Sequence, residues 1–291
     1  MFSFRFLVLL FLVALGCLDA AGQTRSKSLA QALFNSISEG SADLISSSSP
    51  GLSLGDANNV QDEFVRLELV SKVIGGYKAG FTSSEAQEKW AVTTPVSGVL
   101  FSQGELRGSP VIDTADYQKL FIEMEIGFVL AKEIVEPIDS IESLRKYIRY
   151  VVPVIELPDL PFNSLKSLTA VDLVASNMAS KNWLVGQASD VRALPNQIRA
   201  MLYQNGELVD SGSATIVSRL EALLWLVNDR LRRGWPLKAG STLITGALGK
   251  INPASRACYR VDYGGFSQPI SFQVTNSNEN GFNEDSCLSA R

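Results

Sequence analysis

The chain has 291 residues, 46% of them hydrophobic and 19% charged, with a net charge of -4, so it carries enough apolar residues for one large core or two modest ones and is not generally disordered. An acidic balance of 26 Lys+Arg against 30 Asp+Glu argues against a nucleic-acid partner, because neutralising phosphates takes a basic face. Histidine is absent, which removes Ser-His-Asp and Cys-His catalysis, histidine-ligated zinc or haem, and any histidine general base.

From the N-terminus, a single positive charge at Arg5 precedes the uncharged run Phe6 to Leu18, followed by the small residues Ala20, Ala21 and Gly22. This is the layout of a secretory leader over residues 1–22, and the run is too short to span a bilayer. Its removal takes one charge of each sign and leaves the balance unchanged. No later segment reaches membrane-spanning length, so a soluble mature chain, exported across the inner membrane to the periplasm, is expected. Ala14-Leu15-Gly16-Cys17 resembles a bacterial lipobox with Ala in place of the usual Leu, and lipid anchoring at Cys17 is the alternative. Cys258 and Cys287 either pair in an oxidising compartment or leave Cys287 free in a polar tail.

Residues 23–71 read as a helical N-terminal region. Ser28 to Ile37 places Leu29, Leu33, Phe34 and Ile37 on one face and stops at Gly40; after a Ser-rich connection through Pro50, Val60, Phe64 and Leu67 repeat at helical spacing. Residues 72–275 read as a strand-rich domain. Lys72 to Ala79 is β-like, Thr82-x-x-Glu85 is a capping box opening a short helix, and Phe121 to Leu130 and Val151 to Leu157 are strands. Asn205-Gly206 marks a hairpin, Ala214 to Arg233 is the one long helix, and three strands near Thr242–Thr245, Ala257–Tyr263 and Ile270–Val274 close the fold. Without regular βαβ alternation the class is α+β. Residues 276–291 form a polar tail, expected to be disordered.

On the strand Phe121 to Leu130, Glu123 and Glu125 share a face about 7 Å apart. They either grip a divalent cation, for which oxygen ligands suit Mg²⁺, Ca²⁺ or Mn²⁺, or are the solvated side of an amphipathic strand whose buried side is Ile122, Met124, Ile126 and Phe128. Glu156, in the nearly all-apolar Val151 to Leu157, must pair with a base, bind a metal or shift its pKa. Lys78, among Gly75, Gly76 and Gly80, is an acid/base or carboxylate-binding group or a surface residue beside a turn. Thr245 to Gly249 follows a strand and offers backbone N–H groups to an anion.

In order, PGLSLGDANNVQ, GGYKAGFTSSEAQ, IEMEIGFVLAKEI, VVPVIELPD, DLVASNMASKNWLVG, GSATIVSRLEALLWLVN, PLKAGSTLITGALG and VDYGGFSQPISFQV resemble the 2-keto-4-pentenoate hydratase / oxalocrotonate decarboxylase branch of the fumarylacetoacetate hydrolase superfamily. The resemblance implies a mixed β roll or sandwich holding one Mg²⁺ or Mn²⁺ on Glu123, Glu125 and Glu156, where a 2-oxo acid binds and its enolate is stabilised. It implies Lys78 as the acid/base or substrate-positioning residue and Ser180 as a serine beside the substrate. A homo-oligomer is expected. The activity implied is hydration of an enolisable 2-oxo acid, with decarboxylation of a 2-oxo dicarboxylate and loss of turnover in an exported binding protein as the alternatives. Val96 stands where the hydratases carry Asp, which speaks for decarboxylation or loss, and Lys181 replaces a glycine, either meeting an anionic substrate or blocking the pocket. Carbon–carbon hydrolysis in the wider superfamily relies on a histidine-containing dyad, which this chain lacks.

Overall fold

The computed structural model describes residues 22–278. The expected leader (all but Gly22), Cys17, Cys287 and most of the expected tail lie outside the described residues. Cys258 is disulfide-bonded.

Three helices come first: α1 over residues 22–38, α2 at Ile45–Ser48 and α3 at Leu54–Glu68. Ser53 and Asp56 close α3 with a reciprocal capping box, which satisfies two otherwise orphaned backbone donors. Ala57, Val60, Phe64 and Val65 form its buried stripe at helical spacing. Ala57, Val60 and Phe64 pack with Ala30 and Leu33 of α1 against α6 (Ala170–Ala175) as one apolar cluster, while Val65 joins the main core.

The remaining elements are β1 (Ile74–Gly80), α4 (Ser84–Lys89), β2 (Val96–Phe101), β3 (Glu105–Arg107), β4 (Val111–Asp113), β5 (Phe121–Leu130), α5 (Ile141–Arg145), β6 (Ile148–Leu157), β7 (Asn182–Val185), β8 (Gln197–Gln204), β9 (Glu207–Thr215), α7 (Ile216–Arg232), β10 (Thr242–Ile244), β11 (Asn252–Pro253), β12 (Ala257–Tyr263) and β13 (Ile270–Thr275). One mixed sheet runs β2-β1-β10-β5-β6-β7-β3, with β11 added to β5; a second runs β4-β13-β12-β8-β9. The main core lies between the sheets and α7: Ile122, Met124, Ile126 and Phe128 of β5 meet Leu202, Val261 and Phe272 of the second sheet and Leu220, Leu223 and Val227 of α7. The α+β, strand-rich architecture matches the sequence reading.

Local chemistry explains several boundaries. Asn205 and Gly206 both take positive φ (51° and 86°), the turn geometry that matches the twist of the β8–β9 hairpin. Thr215 caps α7 by accepting from the Ser218 N–H, and Gly234 follows its end at φ 74°. The short helix α4 is capped by Ser83, which accepts from the Ala86 N–H, one residue later than the Thr82 box predicts. No helix among the described residues is long and apolar enough to cross a membrane.

Candidate active site

The antiparallel pairing of β5 and β6 sets Glu123 directly opposite Glu156 and Glu125 opposite Val154. Directly opposed residues share a face, so all three carboxylates rise from one side of the sheet, and their nearest oxygens lie within 4.8 Å of one another. The opposite face of β5 carries the main core. Beside the carboxylates, Val152, Val154, Trp183 and Ile244 form a smaller apolar cluster, so the carboxylate face is itself covered. Glu125 is 2% and Glu156 0% exposed, while Glu123 is half-buried. The amphipathic-strand alternative, with both glutamates in solvent, does not describe this strand.

Lys78 comes to the same place from β1, where it pairs with Gly98 of β2 and Ile244 of β10. Its ammonium, 3% exposed as a residue, donates to Glu156 Oε1 in a short contact and to the Met178 carbonyl at 3.1 Å. Glu156 Oε2 is buried with no hydrogen-bond donor. Glu125 is held from two sides: its Oε2 accepts the Gly246 N–H at 2.8 Å, and its own N–H donates to the Tyr263 hydroxyl, which donates to the Val154 carbonyl. The Thr245 to Gly249 segment therefore uses the Gly246 donor on Glu125. Arg219 of α7 fixes that segment by donating to the carbonyls of Thr245 at 2.8 Å and Gly246 at 2.9 Å.

Electrostatics follow from burying three acids beside one base. Burial, reinforced by Glu156 and Glu123, pushes the Glu125 carboxyl well above the usual carboxylate range. Burial also raises Glu156, to about 7, against the opposing charge of Lys78. Burial pulls Lys78 down, but the surrounding glutamates, Glu156 first, outweigh it and hold the ammonium above its ordinary value. Self-repelling hard-oxygen donors, one of them with an unsatisfied buried oxygen, fit a small divalent cation such as Mg²⁺ or Mn²⁺.

A feature with no sequence signal presents the Met178 carbonyl. Asn177, Met178 and Ala179 take φ of 57°, 55° and 54° in succession, a left-handed turn without glycine that costs of order 1–3 kcal/mol per residue. The Asn177 side chain secures it, accepting from the Val99 N–H at 2.7 Å and donating to the Val99 carbonyl at 2.9 Å. Gly98 provides the space: a Cβ there would lie 3.0 Å from the Asn177 carbonyl oxygen and 3.1 Å from Lys78 Cγ.

The group opens into a cavity of about 540 Å³ whose lining includes Lys78, Glu123, Glu125, Met178 and Ala179. Ser180 is not brought to it. That serine lines a second cavity of about 530 Å³, on the side of Phe34, Phe64 and Phe101, together with Lys181. Lys181 neither blocks nor enters the carboxylate cavity: it pairs with Asp159 at 2.8 Å and sits over the Tyr117 ring. Val96 lies behind the wall, buried in the apolar cluster that also contains Met178 and Leu173.

No protein-family model matches this sequence. A 2-keto-4-pentenoate hydratase of Paraburkholderia phymatum is 30% identical over 180 residues, covering 60% of this chain and 68% of the relative. The chain belongs to the 2-keto-4-pentenoate hydratase / oxalocrotonate decarboxylase branch of the fumarylacetoacetate hydrolase superfamily. Within this branch, a 2-oxo-hept-4-ene-1,7-dioate hydratase of Escherichia coli is 28% identical over 230 residues, covering 74% of this chain and 85% of the relative. A solved 4-oxalocrotonate decarboxylase from Pseudomonas putida G7, complexed with magnesium and adipate, shares the fold with a TM-score of 0.79 at 23% identity, over 87% of this chain and 98% of that one.

Proposed function

We propose that the protein is a divalent-metal-dependent lyase that hydrates an enolisable 2-oxo acid, presented as its 2-hydroxydienoate tautomer. The observation that carries this reading is the convergence of Glu123, Glu125 and Glu156 within 4.8 Å, with a buried, donorless oxygen on Glu156, beside the cavity that Glu123 and Glu125 line. Those three carboxylates would hold Mg²⁺ or Mn²⁺, which supplies Lewis-acid stabilisation of the charge that develops on the 2-oxo oxygen. The hydratase relatives and the magnesium-complexed decarboxylase of like fold support both the reaction class and the metal.

The chain's own groups divide the remaining work. Lys78 holds a proton at Nζ beside the carboxylates, aimed by Glu156 and the Met178 carbonyl, and delivers it to the substrate or fixes the substrate's carboxylate. Arg219 and Gly246 keep Glu125 in place. Met178, Leu160 and Leu173 line the wall, keeping bulk water away from the reacting carbons.

Decarboxylation of a 2-oxo dicarboxylate is the second reading, favoured by that apolar wall and by Val96, which contributes no water-activating group. The leader of residues 1–22 supports a site of action outside the cytoplasm, tested by the N-terminal mass of the protein recovered from its host's periplasm. The reaction is tested by following the ultraviolet band of 2-hydroxypenta-2,4-dienoate with Mn²⁺ and after chelation. Metal-dependent loss of the band, without release of CO₂ from a 2-oxo dicarboxylate, is expected. A band that persists with metal present overturns the hydratase reading.

A further inference from the structure

Two lysines at the mouth of the carboxylate cavity have no role in the chemistry above. Lys89 ends α4 on one side, and Lys250 follows the Thr245 to Gly249 segment on the other; both line the cavity and both are exposed, in contrast to the buried Lys78 and Glu125 at its floor. Neither ammonium forms an ion pair among the described residues: Lys89 Nζ lies over the Trp90 ring, 5.7 Å from its centroid, and Lys250 has hydrogen-bonded backbone only. Phe81 and Trp90, stacked at 5.2 Å, and Ile251 give the cavity apolar lining, while Thr82, Ser83 and Glu85 add polar lining, Glu85 standing one turn before Lys89 on α4. Above the acids the cavity thus offers apolar surface and, toward solvent, two lysine charges against the one carboxylate of Glu85.

The segment that carries Lys89 is built to stay near the mouth. None of the residues of α4 is buried, yet Phe81 and Ala91 on either side of it take left-handed φ of 54° and 51°, and the Gln87 side chain ties it back by donating to the Phe81 carbonyl at 3.0 Å. Opposite it, Asp210 accepts from the Lys250 N–H at 2.9 Å and fixes the start of that loop.

Resting on the reading of the site as a 2-oxo acid lyase, we propose that Lys89 and Lys250 are specificity-determining residues that bind an acidic group at the far end of the substrate. The substrate class is then a 2-oxo acid with an apolar middle and a second carboxylate, in preference to a monoacid of the same length. Both lysines are hydrated, so their joint effect is modest, roughly five- to tenfold in affinity at low salt, and it fades as ionic strength rises.

The test uses 2-oxohexanoate and 2-oxoadipate, unreactive six-carbon acids that differ only in the terminal carboxylate, titrated by calorimetry into the Mg²⁺-loaded full chain. Wild type is expected to bind 2-oxoadipate about fivefold or more tightly than 2-oxohexanoate, and the K89Q/K250Q double variant to bring that ratio to about one. Equal binding of both acids by wild type, or a ratio that survives in the double variant, overturns this proposal alone. Binding of neither acid overturns the reading of the site together with it.

Discussion

At the residue scale, Lys78 and Glu156 are each defined by the other. Their contact is completely buried, and removing one member of a buried pair leaves an uncompensated charge that typically costs 3–5 kcal/mol. Lys78→Met therefore has two expected consequences. Turnover falls by roughly 10²–10⁴-fold, the contribution of a positioned acid/base, and the metal-free variant melts earlier than wild type, because three glutamates then face one another without a counter-charge. The loss in melting temperature is expected to shrink when Mn²⁺ is added. Ser180 makes the opposite case. It lines the other cavity and not the carboxylate cavity, which Met178 and Ala179 reach, so Ser180→Ala should keep kcat/KM within about twofold of wild type, as for a substitution away from the site. A drop of a hundredfold would place Ser180 at the substrate after all.

At the element scale, what was legible in the sequence is what depends on local periodicity. The E-x-E spacing in Glu123 and Glu125, the all-apolar strand around Glu156 and the Asn205-Gly206 turn all follow from period two and from turn chemistry, and the structure places each on the expected element. The meeting of Glu156 with Glu123 depends on strand register, which only tertiary pairing sets. The left-handed turn Asn177 to Ala179 left no trace because Met178 and Ala179 are not residues that seek positive φ; only Asn177 tolerates it readily. Tertiary hydrogen bonds to Val99 hold it. Asn177→Ala removes both bonds and leaves a buried N–H and C=O of β2 unsatisfied, so a loss of about 2–4 kcal/mol in denaturant-unfolding stability is expected. Since the turn also carries the Met178 carbonyl that orients Lys78, kcat should fall more than metal affinity. The role of Arg219 was hidden too, because its partners, the carbonyls of Thr245 and Gly246, are backbone atoms 26 and 27 residues further on.

At the scale of the whole molecule, the absence of histidine gives an unusually direct reading of the site. Histidine is the side chain whose ordinary pKa lies between about pH 5 and 8, and its absence leaves that window to groups whose pKa the fold has moved. The aspartates with shifted pKa values (Asp56, Asp113, Asp139, Asp190 and Asp229) are all held lower than usual and so change charge in more acid solution. Glu125 and Glu156 are different: burial raises both, Glu156 from 4.5 to about 7. Between those values the folded state binds more protons than the unfolded chain, so stability falls as pH rises through the window. The melting temperature of the chelated protein should therefore decline from about pH 5 to 7.5. With saturating Mn²⁺ the decline should flatten or reverse, because the ion binds the deprotonated carboxylates of the folded state alone. A pH-independent melting temperature in chelator would show that the buried carboxylates carry no strained charge.

The claim on which the rest depends is that three glutamates from two paired strands form one divalent-metal site. It is tested most directly by calorimetric titration of Mn²⁺ into the wild-type chain and into Glu156→Gln, which keeps the shape of the side chain and removes its charge. The account predicts one ion per wild-type chain. For the variant it predicts binding weakened by more than roughly tenfold, at least what loss of an outer partner of a metal ligand costs, with the circular dichroism spectrum unchanged. Equal affinity in the two proteins would contradict it.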